Sequence, residues 1–135
     1  RSSDLPGWVR RLVKKNHPAN VEFPGYIKGD IYEGAMTASD VFFFPSHEET
    51  EGIVVLEALA SDQNVVARDI PVYGGWLDNR AATLVSTNEE FVSALRHVLD
   101  GKIDKRETGH RVAESRSIES ISTQLVAAYQ YVLNN

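Results

Sequence analysis

The sequence predicts an α/β domain of the Rossmann-like class, an open parallel sheet with helices on both faces. Three observations carry that expectation. Short apolar, β-prone runs at 21–23, 40–44, 65–67 and 82–85 alternate with segments of helical periodicity, and such alternation builds parallel sheets through right-handed crossovers. The run Asp40-Val41-Phe42-Phe43-Phe44 shows no polar alternation, the pattern of a strand buried on both faces. At 135 residues the chain has the size of one domain and can bury roughly two-thirds of the surface its unfolded form exposes.

Taken in order, Trp8, Val9, Leu12 and Val13 fall on one helical face and Arg10, Arg11, Lys14 and Lys15 on the other. Asn16-His17-Pro18 stops this first, basic helix. Val21-Glu22-Phe23 reads as a strand ended by Pro24-Gly25, with Tyr26 and Ile27 just past its carboxyl end. A second helix over 30–39 carries Ile31, Tyr32, Ala35, Met36 and Ala38 and takes Asp30 as its cap. Pro45-Ser46 halts the 40–44 strand, a helix starts at Gly52 or Ile53 and runs through Ala60, and Val65-Val66-Ala67 forms the next strand. Gly74-Gly75 and Asp78-Asn79 punctuate a loop with a short helix, and Ala82 to Val85 is the last strand. Asn88 caps a helix whose core face is Phe91, Val92, Leu95, Val98 and Leu99. Ile118, Ile121, Leu125, Val126, Tyr129, Val132 and Leu133 then keep helical spacing, so a long amphipathic helix closes the chain.

Composition excludes several functions. With 14 Lys plus Arg against 19 Asp plus Glu the formal charge is −5, which argues against nucleic acid as a partner. The basic face of the first helix is a small patch, read as a solvated surface rather than a lipid contact. The absence of cysteine removes disulfides, thiolate catalysis and Cys-ligated zinc, and suits a cytoplasmic setting. No apolar stretch approaches the ~20 residues that span a bilayer. His17, His47, His97 and His110 lack metal-ligand spacing, so no metal site is expected. Trp8 and Trp76 read as packing residues, and Arg68 and Asp69 either reach the cleft or form a local ion pair.

In open α/β sheets ligands bind beyond the carboxyl ends of the strands. Pro45 to Glu51 is such a loop, and it enters a helix at Gly52, whose missing Cβ would let a ligand approach the backbone. Free amides at Gly52, Ile53 and Val54, with the positive end of the helix dipole behind them, suit a pyrophosphate. Glu48, Glu49 and Glu51 bring negative charge to the same place, so a cation is needed to offset them. Glu49 in the loop and Glu57 inside the helix could each accept paired hydrogen bonds from a vicinal diol, one on a sugar ring and one on a ribose.

The stretch PSHEETEGIVVLEALAS from Pro45 to Ser61 resembles the E-x7-E signature of retaining glycosyltransferases of family 4, which have the two-domain GT-B fold. NVEFPGYI and NVVARD stand where that family has the flanking strands, so the resemblance covers nearly the whole chain. Within the family, HPANVEFPGYIKGDIYEGAMTASDVFFFPSHEETEGIVVLEALAS and RDIPVYGGWL look like Gram-positive bacterial enzymes that add a second hexose to monoglucosyl-diacylglycerol, the glycolipid anchor of lipoteichoic acid. The resemblance implies a UDP-glucose or UDP-galactose donor, a glycolipid acceptor, retention of the α-anomeric configuration, and no cofactor or obligatory metal. Residue by residue, it implies that Glu49, the catalytic position, contacts donor-sugar hydroxyls and Glu57 the ribose. It places Gly52, Ile53 and Val54 at the diphosphate, Tyr26 and Ile27 at the uracil, and Ser46 among the donor contacts.

Read through that resemblance, residues 1–135 are the donor-binding, C-terminal half of a GT-B enzyme, truncated at its N-terminal edge. The first strand, its glycine loop and the basic residues that hold phosphates would precede Arg1, together with the domain that brings the glycolipid acceptor at the membrane surface. Alone, such a piece is expected to bind donor weakly and to be inactive, and the full-length protein to sit at the inner face of the cell membrane. Two alternatives stand beside this reading, a sugar-nucleotide epimerase of GT-B fold and a non-catalytic Rossmann-like interaction module.

Overall fold

Three short strands pair in parallel and organise residues 36–135, one of two compact units into which the chain divides, the other being residues 1–35. The computed structural model describes residues 6–15 and 18–134, with only the backbone described for Arg10 and Lys14. Strand β1 is Phe42–Phe44, β2 Val65–Arg68 and β3 Thr83–Val85, in the order β1-β2-β3. Phe43 stands opposite Val66 and Ala67 opposite Leu84, every pair parallel. All residues of the central β2 are buried.

Because strand side chains alternate between faces, Phe43, Val66, Arg68 and Val85 point one way and Phe42, Phe44, Val65 and Ala67 the other. Helix α4 (Asn88–Leu99) covers the first face, where Phe91, Ala94 and Val98 form a core with Val66 and Val85. On the second face lies α3 (Ile53–Ala60), which touches β2 and buries Val55, Ala58 and Leu59. Helices on both faces of a parallel sheet are what the pattern of runs predicted.

Strand β1 departs from the fully buried expectation. Phe43 is 46% exposed: β1 has a ladder partner on one side among the described residues, and Phe43 meets the Phe91 ring in a T-shaped pair, centroid to centroid 5.0 Å. Val21 to Phe23 is not a strand. The Val21 amide instead closes a turn onto the Pro18 carbonyl at 3.1 Å, and an amide used this way cannot join a ladder.

Cap positions also shift. Asp30 is the first residue of α2 (Asp30–Ala38) rather than its cap, and the Glu33 amide bonds back to the carbonyl of Gly29. Thr87, not Asn88, caps α4: its hydroxyl accepts from the Glu90 amide while the Glu90 carboxylate accepts from the Thr87 amide, a reciprocal capping box. Val92 and Leu99 lie outside the α4 core face and are exposed. Helix α1 (Gly7–Lys15) forms as expected, yet Trp8 is 71% exposed rather than packed. Its stop at Asn16-His17 lies outside the described residues.

Two helices at the end of the chain depart from the sequence expectation. Helix α5 (Arg106–Ser115) was not foreseen, because the residue it presses into the core is a glycine. A Cβ on Gly109 would stand 2.6 Å from Leu59 Cδ2 and 3.0 Å from the Ala81 carbonyl, so only glycine lets α5 close on α3. Helix α6 (Ile118–Leu133) has the expected apolar stripe but buries none of it. Among the described residues no helix is long and apolar enough to cross a membrane.

Just before α5, the Asp104 carboxylate accepts from the Arg106 amide and guanidinium. The Arg106 side-chain hydrogen bond, then its amide, hold Asp104 at about 2, below its ordinary 3.8. A depressed carboxylate pKa stabilises the fold above the unfolded value, and that contribution is lost as pH falls through the folded one. Urea midpoints measured between pH 5 and about 2 should therefore fall less steeply in Asp104→Asn than in the parent.

Candidate functional site

The carboxyl ends of the three strands form one edge, and a single side chain ties them together. Arg68, the last residue of β2, donates from Nε to the Pro45 carbonyl at 3.1 Å and from a terminal nitrogen to the Ser86 carbonyl at 2.7 Å. Its guanidinium also lies over the Phe91 ring, 5.1 Å from the centroid. The root of the loop after β1 is thus fixed to the loop after β3 by a buried cation. Of the two roles considered from sequence for Arg68, the local ion pair with Asp69 is not formed; its donors turn to backbone carbonyls at the carboxyl edge of the sheet.

Beyond Pro45 the loop is held from within, the Ser46 hydroxyl donating to the Glu48 carbonyl at 2.8 Å. Its lone pairs stay available to accept. Glu48, Glu49 and Glu51 are exposed. The chain then turns into α3 at Gly52, with φ 74° and ψ 35°, the left-handed region that favours glycine. First ladder bonds run from the Val55 and Leu56 amides to the Gly52 carbonyl, so the amides of Gly52, Ile53 and Val54 stand outside the helix ladder, as in any helix start.

The reason for glycine at 52 differs from the one expected. Space above its Cα is filled from inside the protein: a Cβ there would meet Tyr73 Cε1 at 2.8 Å and the Tyr73 hydroxyl at 3.4 Å. Close approach by a ligand to that Cα is therefore replaced by close approach of a phenol ring. Ile53 and Glu57, four apart on one face, are both exposed.

Tyr73 ends a 3-10 turn, Pro71–Tyr73, that follows β2. Burial, and after it the charge of Glu49, push its hydroxyl up to about 12. Trp76 packs edge-on against Tyr73 at 5.6 Å and donates its indole N–H to the Val72 carbonyl at 3.2 Å, which bears out its reading as a packing residue. The Arg116 guanidinium covers the Trp76 ring at 5.2 Å. Beside the acidic loop, Thr50, Glu51, Ile53, Leu56, Trp76 and Arg116 line an open cavity of about 330 Å³.

The turn after β1 thus brings Ser46, Glu49, Gly52, Ile53 and Val54 into one strand-to-helix connection, with Glu57 one turn further along α3. Tyr26 and Ile27 belong to residues 1–35, where Tyr26 is exposed and the Lys28 ammonium lies 4.9 Å from its ring centroid. Tyr73 and Arg116 were missed as parts of the site. Nothing local marks them, since each reaches it across a distance in sequence of 15 residues or more.

Comparison with known proteins points in one direction. The family profile described as glycosyl transferases group 1 matches residues 8–115. A processive diacylglycerol alpha-glucosyltransferase of Acholeplasma laidlawii is 44% identical over 128 residues, which are 93% of this chain and 38% of that protein. An alpha-galactosylglucosyldiacylglycerol synthase of Streptococcus pneumoniae is 27% identical over 63 residues, 47% of this chain and 17% of that one. A sulfoquinovosyl transferase of Arabidopsis thaliana is 49% identical over 45 residues, 33% of this chain and 9% of the relative. The chain therefore spans well under half the length of these relatives.

Proposed function

We propose, from the premise that the chain belongs to the group 1 glycosyltransferases, that it is the donor-binding part of an enzyme moving a hexose from a UDP-sugar to a glycolipid. The observation that carries this reading is the turn from β1 into α3. There, three amides outside the helix ladder lie between an exposed carboxylate before the helix and another within it. A diphosphate suits the amides and the positive helix end, and the carboxylates suit the diols on either side of it. The names of the two glycolipid-forming relatives support diacylglycerol-linked sugar as the acceptor.

In this reading the acceptor hydroxyl oxygen bonds to the anomeric carbon as that carbon's bond to the diphosphate oxygen breaks; UDP leaves, and negative charge grows on its departing oxygen, which takes up the acceptor's proton. Donors already aimed at that charge stabilise the transition state more than the ground state. Gly52, Ile53 and Val54 supply them, with no metal or cofactor required. Glu49 holds the hexose against this leaving group, and Glu57 fixes the ribose. Ser46 completes the donor contacts on this side of the turn. Arg68 anchors the root of the acidic loop through the Pro45 carbonyl. The same reading puts catalysis in the cytoplasm, at the inner face of the membrane, with the acceptor delivered by another domain.

Glu57→Ala in the full-length enzyme should weaken UDP-hexose binding by about tenfold to a hundredfold, the worth of hydrogen bonds to a charged group. Titration calorimetry with UDP-glucose and UDP-galactose checks it, and unchanged affinity for both would remove the ribose role.

A further inference from the structure

A tyrosine hydroxyl buried without a hydrogen-bond partner is a group to account for, since leaving such a donor unsatisfied costs about 1–3 kcal/mol. Tyr73 is one: the residue is 1% exposed and its hydroxyl finds no partner among the described residues. Phenylalanine would fill the same space without that cost. The ring is not loosely held either, being fixed by Trp76 on its edge and by Gly52 against Cε1. Its backbone is pinned at both ends, the amide to the Ile70 carbonyl at 3.1 Å and the carbonyl to the amides of Trp76 and Leu77 at 2.9 Å each.

The hydroxyl is aimed at the start of α3. It would stand 3.4 Å from a Cβ on Gly52, the residue whose carbonyl begins the helix ladder, and Glu49 is the carboxylate whose charge it feels. Glu49 itself is exposed in the donor-free protein, where water satisfies it. A hexose seated in the turn strips that water, and the carboxylate then needs a donor on its protein side as well as the sugar hydroxyls in front of it.

We propose that Tyr73 is a positioning residue for sugar transfer: its buried hydroxyl is held ready beneath Gly52 and donates to the Glu49 carboxylate once the donor sugar closes over it. This rests on the donor-binding reading of the turn. The phenol stays protonated throughout the working range, because burial and the Glu49 charge both raise it, so it acts as a hydrogen-bond donor and never as a base. Its unmade bond in the donor-free state becomes a made one in the donor complex, which favours that complex and fixes the carboxylate against the hexose.

The test is Tyr73→Phe in the full-length enzyme, compared with Glu49→Ala and with the double variant, reading melting temperature, UDP-hexose affinity and kcat. Tyr73→Phe should leave the donor-free melting temperature unchanged or raised, lower kcat by about tenfold with a smaller change in KM, and weaken UDP-hexose binding only where Glu49 is present. A lowered melting temperature would mean that the hydroxyl has a structural partner and would overturn the proposal. So would an unaltered kcat, or equal losses of affinity with and without Glu49. If Glu49→Ala leaves affinity and kcat untouched, the reading of the turn fails and Tyr73 falls with it. If Glu49→Ala is inactive and Tyr73→Phe is normal, only the tyrosine role fails.

Discussion

Glu49→Gln in the full-length enzyme should transfer hexose on the order of a hundredfold to a thousandfold more slowly, the loss expected when one preorganised polar group is removed from the transition state. The substitution is nearly isosteric, and the side chain is exposed, so folding should be unaffected. A neutral amide still fits the loop but cannot accept paired hydrogen bonds with full charge from a diol, and it presents a donor where the sugar hydroxyls already donate. Steady-state rates with saturating glycolipid acceptor measure the effect. Because the group acts on the reacting sugar, kcat should fall more than KM rises. A variant with parental kcat would take Glu49 out of the chemistry.

The second large effect is on the fold beneath the site. Gly52→Ala should lower stability by about 2 to 5 kcal/mol, the sum of a left-handed backbone for a residue with a Cβ and the displacement of a packed ring. At Gly52 φ is 74°, and the added methyl would lie 2.8 Å from Tyr73 Cε1. The ring has little freedom to retreat, since Trp76 closes it on another side. For a domain of this size the shift should reach roughly 10 °C in melting temperature. Gly75→Ala is the matched control, with nothing within 4 Å of its new methyl, and should change little. Equal melting temperatures for the two variants would mean that Tyr73 does not bear on Gly52.

Much of this architecture could be read from residue order because it rests on local signals. Pro45-Ser46 ends β1, Gly52 opens α3, and Val65-Val66-Ala67 is a strand because nothing polar interrupts it. The sheet is parallel and layered as those signals imply. What escaped prediction depends on contacts distant in sequence. Gly109 looks like a helix breaker until Leu59 is seen to need its space. Val21 to Phe23 has β-prone side chains, but its first amide is committed to Pro18. The apolar stripe of α6 is legible, whereas its lack of burial is a property of what packs there.

The site divides in the same way. Glu49, Glu57 and the three amides follow from the strand-loop-helix order, which brings them together without help from the rest of the chain. Tyr73 and Arg68 do not, because each is brought to the turn from the end of β2 or just beyond it. An arginine after a buried strand suggests a cleft residue, yet Arg68 faces two carbonyls and an aromatic ring. Gly52 was assigned to the right place for the wrong reason: the group that needs its missing Cβ is a tyrosine of the same domain.

The central claim, that the turn from β1 into α3 is the donor site, is tested most directly by a crystal structure of the full-length enzyme with UDP-hexose bound. The account predicts the diphosphate within hydrogen-bond distance, about 3 Å, of the Gly52, Ile53 and Val54 amides, with the hexose on Glu49 and the ribose on Glu57. A diphosphate bound elsewhere, with those amides not engaged by it, would contradict it.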